Sequence, residues 1–232
     1  MTVPGTILLS GIVGSTAYGL DHEGSDIDRL GTYAAPTVAF HGLHPPLGKD
    51  ASYVTTAPDA TYHEAGKLAA LLLKCNPTVT ELAWLAEYET RTPLGDELIG
   101  IRQSFLSAKA VRNAYLGYST AQFQRLASRD DGSFSSDTRK RTAKHARHLW
   151  RLIQQGTDLN ACGRLSVRLD AAQVSPCREF GEKVAAGDLD IARAYLADAE
   201  RHFDRDRSAL PERPDTAAAE AWLLRVRREF YR

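Results

Sequence analysis

An α+β fold, with its strands early and its helices late, is what the residue pattern predicts. Three observations lead there. Strand-like runs are confined to about the first 100 residues, apolar residues recur at three- and four-residue spacing from about Ser104 onward, and turn-forming clusters separate these segments. At 232 residues the chain can bury a sizeable core without disulfide staples, and the expected division is a mixed domain at 1–100 and a helical domain at 101–232.

The apolar run Ile7-Leu8-Leu9 through Ile12-Val13 reads as a buried strand ended by a tight Gly14-Ser15 turn. After the polar cluster Asp21 to Ser25, the segment from Asp26 to Tyr33 alternates in character as a second strand does. Ala34 to Gly48, with Pro36, Pro45 and Pro46, fits neither period and is expected to be a loop along the sheet edge. Tyr53 to Tyr62 is rich in Thr and Tyr and predicts one or two further strands despite Pro58.

Helices follow. His63 to Lys74 carries Leu68, Leu71 and Leu72 at helical spacing, and Asn76-Pro77 ends it and opens the next, Thr78 to Glu87. Ser104 to Arg129, Asp137 to Gln155, Ser175 to Ala185, Asp188 to Phe203 and Thr216 to Tyr231 share the same period. The clearest loops are Gly132 to Ser136 and Ser208 to Pro214. Trp84, Trp150 and Trp222 lie in helical apolar patterns and are expected in the core.

Composition narrows the function. Lys plus Arg and Asp plus Glu number 29 each, so no bulk field attracts nucleic acid or an anionic membrane, and any such site is a local patch. Cys75, Cys162 and Cys177 lack C-x-x-C spacing, which argues against a thiolate zinc site and for a reducing cytoplasm. No apolar run approaches the roughly 20 residues of a membrane span, and no basic-then-apolar leader is present.

The segment that carries chemistry is Gly14-Ser15 followed, ten residues on, by Asp26-Ile27-Asp28. On a strand, Asp26 and Asp28 would project to one side roughly 7 Å apart at the backbone. Two such carboxylates suit Mg²⁺, which takes its remaining ligands from water and substrate phosphates. Glycine lets backbone approach a ligand closely, and neighbouring amides with a serine hydroxyl can donate to phosphate oxygens. Ser25, just ahead of the carboxylates, completes the tight lead-in.

Gly14-Ser15 with Asp26-x-Asp28 at this distance resembles the signature of the DNA-polymerase-beta-like nucleotidyltransferase superfamily. More narrowly it resembles the bacterial and phage "predicted nucleotidyltransferase" family, through Gly14-Ser15-x-Ala17-Tyr18-Gly19-Leu20, Ser25-Asp26-Ile27-Asp28, Asn76-Pro77-Thr78 with Glu81-Leu82, Lys144-His145-x-Arg147, and Leu210-Pro211 with Pro214-Asp215. The resemblance implies a mixed sheet with flanking helices and an NTP-dependent transfer that releases pyrophosphate. It further implies Mg²⁺ or Mn²⁺, two ions, on Asp26 and Asp28, a third carboxylate carried by position onto Asp59 with Glu64 as competitor, and triphosphate on Gly14, Ser15 and Ser25. The acceptor stays open among RNA, a protein and a small molecule. A non-catalytic, partner-regulating protein of the same fold, such as a toxin-neutralising module, is the alternative.

Rival motifs fail. Asp26, Asp28 and Gly31 match calcium-loop positions 1, 3 and 6, but Leu30 and Thr37 occupy positions 5 and 12. His22-Glu23 and His63-Glu64 lack the second His of a zinc helix, and no Gly-Lys-Ser/Thr follows Gly11 to Ser15. Arg139, Lys140, Arg141, Lys144, Arg147 and Arg151 with His145 and His148 form one basic helix, either a solvated face or a phosphate-binding patch through Lys144 and Arg147. Arg29 is read two ways, as a phosphate partner or as half of an ion pair.

Overall fold

The computed structural model describes residues 2–22, 24–128 and 136–231. They form two compact units, Met1–Leu106 with Arg213–Arg232, and Ser107–Glu212. The architecture is α+β, as expected. Most of the Gly132 to Ser136 loop lies outside the described residues.

In the first unit, strand β1 (Thr6–Val13) runs into a single helical turn, α1 (Gly14–Tyr18), where a bare turn was expected. Strand β2 (Asp28–Ala34) returns antiparallel to β1, with a register shift between Ile7 and Leu9. Because β2 begins at Asp28, Asp26 stands in the segment leading into the strand and not in the ladder, a correction to the two-on-one-strand expectation. Residues 35–50 contain only a short 3₁₀ turn, Thr37–His41, in keeping with the absence of any hydrophobic period.

The Thr- and Tyr-rich stretch resolves into two strands, β3 (Ser52–Thr56) and β4 (Asp59–Glu64), with Pro58 in the turn between them where it owes no ladder hydrogen bond. β4 lies parallel to β2. Helices α2 (Ala65–Leu73) and α3 (Pro77–Leu82) follow, α3 capped by Asn76, whose side chain accepts from the Val79 N–H, with Pro77 in its first turn. A two-residue strand, β5 (Thr90–Arg91), completes the sheet order β3-β4-β2-β1-β5.

Helix α4 (Pro93–Gly100) begins at Thr92, whose hydroxyl accepts from Gly95 N–H and donates to Leu8 O at 2.8 Å. A Cβ at Gly95 would stand 2.5 Å from Leu8 O, so only glycine lets α4 sit this close to β1.

The second unit is helical: α5 (Ala108–Ala127), α6 (Ser136–Cys162), α7 (Ala171–Ala185) and α8 (Leu189–Arg205). Ser107, Asp170 and Asp188 cap α5, α7 and α8 through their side chains. Val111, Tyr115, Leu149, Leu152, Ile153, Phe180 and Leu196 fill its core, and Gly156 leaves no side chain where Tyr115 packs. Trp150 is buried here as expected.

The last helix, α9 (Thr216–Glu229), belongs to the first unit. Trp222 is fully buried and donates to Leu94 O at 2.9 Å, while Arg227 reaches Glu64 with both terminal guanidinium nitrogens. Trp84 is only half-buried and lies under the Arg102 guanidinium, 4.2 Å from its ring centre. No described helix is long and apolar enough to cross a membrane.

Candidate active site

The antiparallel register pairs Val13, the last residue of β1, with Asp28, the first of β2. Immediately beyond Val13 the chain turns into the left-handed region at Gly14, with φ of +71°. A Cβ built at Gly14 would collide with the Asp28 carboxylate and stand 3.2 Å from its Cγ. Glycine is therefore required twice at this point, once for the backbone angle and once for the carboxylate beside it. Ser15 follows in the first turn of α1, half-exposed.

α1 is closed by Gly19, also at φ +71°, with Gly19 N–H donating to Thr16 O and Leu20 N–H to Ser15 O. Tyr18, on its last turn, donates from Oη to Glu81 Oε2 at 2.8 Å. Ser25 shapes the lead-in to β2: its N–H donates to His22 O at 2.9 Å, and its hydroxyl accepts from the His22 N–H at 3.0 Å. Asp26 is exposed and Asp28 half-buried. Gly14, Ser15 and Asp28 thus meet at one end of the sheet, with Ser25 and Asp26 three and two residues ahead of Asp28.

Asp59 opens β4, and the parallel register that pairs Arg29 with Ala60 brings it level with Asp28 at the same end of the neighbouring strand. It is exposed. Glu64 closes β4 opposite Tyr33, five residues further along, or roughly 17 Å at strand rise. Glu64 is also committed elsewhere: it is 1% exposed, receives Arg227 at 2.5 and 2.9 Å, and accepts from Gly66 N–H to cap α2. It is a structural carboxylate. Arg29 pairs with Glu89 through Nε at 3.0 Å.

Among the described residues no three His, Cys, Asp or Glu side chains converge as a ready cation cage. The donors at this end of the sheet instead fit an ion that brings much of its own shell, as Mg²⁺ does with water and phosphates.

Lys144 and Arg147 lie on α6 in the second unit. Lys144 is exposed, whereas Arg147 is half-buried and lies 3.9 Å from Glu182, which also faces Arg139 at 3.5 Å. Arg151 departs from the expected basic face. It is 2% exposed, donates from Nη1 to Gln155 Oε1 at 2.7 Å, and its Nη2 lies 2.9 Å from His148 Nδ1. Burial, and then the Arg151 guanidinium, push the His148 imidazole down to about 3, so His148 is neutral and free to accept from Arg151.

Sequence reasoning missed the roles of Tyr18, Glu81 and Glu89. Tyr18 and Glu81 stand within the motif blocks, but burial of an acid carries no local signature.

A sequence model described as the RNA repair pathway DNA polymerase beta family matches residues 2–192. No curated protein matches the chain.

Proposed function

The chain belongs to the RNA repair pathway DNA polymerase beta family, and from that premise we propose that it moves a nucleoside monophosphate from an NTP to an RNA acceptor. Support for RNA over a protein or small molecule comes from the family's description alone. The observation that carries the enzymatic reading is the packing of the left-handed Gly14 against the Asp28 carboxylate at the sheet's end. In this reading the turn takes phosphate and the neighbouring Asp28 oxygen takes a cation.

In this reading Asp26 and Asp28 hold Mg²⁺ or Mn²⁺, two ions in the loaded enzyme. When bound, the metal neutralises phosphate charge and polarises the phosphorus that is attacked. The backbone at Gly14 admits the triphosphate, the Ser15 hydroxyl donates to a phosphate oxygen, and Ser25 keeps the lead-in to Asp26 and Asp28 in place. An acceptor hydroxyl oxygen bonds to the α-phosphorus as the bond to the bridging oxygen breaks and pyrophosphate leaves. Asp59, level with Asp28 on β4, takes the hydroxyl proton or adds a metal ligand. Lys144 and Arg147, on the second unit, contribute positive charge toward RNA phosphates, and a reducing cytoplasm suits the three free cysteines.

The test is incubation of the whole chain with each labelled NTP, Mg²⁺ or Mn²⁺, and RNA bearing varied ends. Label in RNA with stoichiometric pyrophosphate is the expected result. Tight NTP binding without any pyrophosphate release would instead favour the non-catalytic alternative.

A further inference from the structure

Glu81 is fully buried, yet it is a carboxylate. Removing such a group from water is costly unless hydrogen bonds replace those lost. One replacement comes from Tyr18 Oη at 2.8 Å, 63 residues away in the chain. Tyr18 ends the five-residue turn that begins at Gly14, so the bond joins that turn to α3. None of the turn's residues is fully buried, and no side chain caps its start. α3 is firmly seated, with Pro77, Val79, Thr80, Glu81 and Leu82 all buried.

We propose that Glu81 is a positioning residue that, through Tyr18, fixes the Gly14–Ser15 turn against Asp28 and so sets the affinity for a triphosphate. This rests on the reading of that turn as the phosphate site. A charge-assisted phenol–carboxylate bond is directional, and a one-turn helix is too short to hold itself in place. Without the bond, the turn loses a directional tie to α3 that helps keep its amides and the Ser15 hydroxyl set before a ligand arrives.

Two measurements on the whole chain test this. The first is calorimetric binding of magnesium tripolyphosphate and of the four magnesium NTPs to the wild type, Tyr18→Phe and Glu81→Gln. Tyr18→Phe removes one oxygen and should weaken binding about tenfold, while Glu81→Gln, which keeps an acceptor, should weaken it by no more than about threefold. The second is hydrogen exchange without ligand, in which Tyr18→Phe should speed exchange of residues 14–20 while the α3 and α4 amides keep their protection. Unchanged affinity and unchanged exchange in Tyr18→Phe overturn the inference. A wild type that binds none of the five probes overturns the phosphate-site reading together with it, even if exchange at 14–20 responds.

Discussion

The two ends of the β2–β4 strand pair carry carboxylates with opposite fates. At the leading end, Asp28 is half-buried against Gly14, and Asp26 and Asp59 are exposed. At the far end, Glu64 is sealed from water, held by Arg227 and capping α2, while Arg227 also lies 4.0 Å from the Phe40 ring centre. An acid that has closed its hydrogen bonds inside the protein is structural, and one left facing solvent at the end of a parallel pair is available for a cation. The contrast is why the proposed reading gives the third carboxylate to Asp59 and not to Glu64, which residue type and spacing alone leave as rivals.

The sharpest way to break the contrast is to exchange charge at each end. Asp28→Asn should lower nucleotide transfer by about 10²–10³-fold, the scale of losing one preorganised charge contact in a transition state. Its far-UV circular dichroism and cooperative unfolding should remain those of a folded chain, so that the loss reads on chemistry and not on folding. Arg227→Met should do the reverse: leaving Glu64 buried and unpaired costs about 3–5 kcal/mol of stability, read as a lower urea midpoint. Turnover per folded molecule should remain that of the wild type. If Arg227→Met cost nothing in stability, the far end would not be the structural end.

Gly14→Ala ranks next. A left-handed alanine costs about 1–2 kcal/mol, and its Cβ meets the Asp28 carboxylate, so KM for NTP should rise more than kcat falls. A smaller effect comes from His63 on β4, whose Nδ1 lies 2.8 Å from Ser52 Oγ. Burial, and then the Lys67 ammonium, push it down to about 4. The unfolded chain binds this proton near pH 6.5 and the folded one does not, so stability is full above about 6.5 and declines as pH falls toward 4. In His63→Gln, urea midpoints measured from pH 7 to pH 4 should fall less steeply.

Much of the fold was legible because its signals are local. The apolar run to Val13, the Thr- and Tyr-rich hairpin around Pro58 and the spacing of Leu68 and Leu72 each specify an element within a few residues. β5 and α4 escaped because two residues have no period and α4 is eight residues long. Helix α9 was legible as a helix, but its place beside β4's Glu64 rests on Trp222 and Arg227 finding partners more than 100 residues away, which periodicity does not encode. Arg151 teaches the same lesson inside α6, where a residue in a basic run turned out to be buried among Gln155 and His148. That Gly14 and Asp28 come together was readable from two short strands framing one turn. Asp26 was placed in the strand although it stands two residues ahead of it, since β2 begins only at Asp28.

The claim on which the account rests is that Asp26 and Asp28 hold the metal with its nucleotide. Mn²⁺ titrations followed by electron paramagnetic resonance, with each NTP present, test it on wild type, Asp26→Asn, Asp28→Asn and, as a distant control, Asp96→Asn. The account predicts that bound Mn²⁺ is lost in the first two variants and kept in the control. Equal Mn²⁺ occupancy in all four proteins would contradict it.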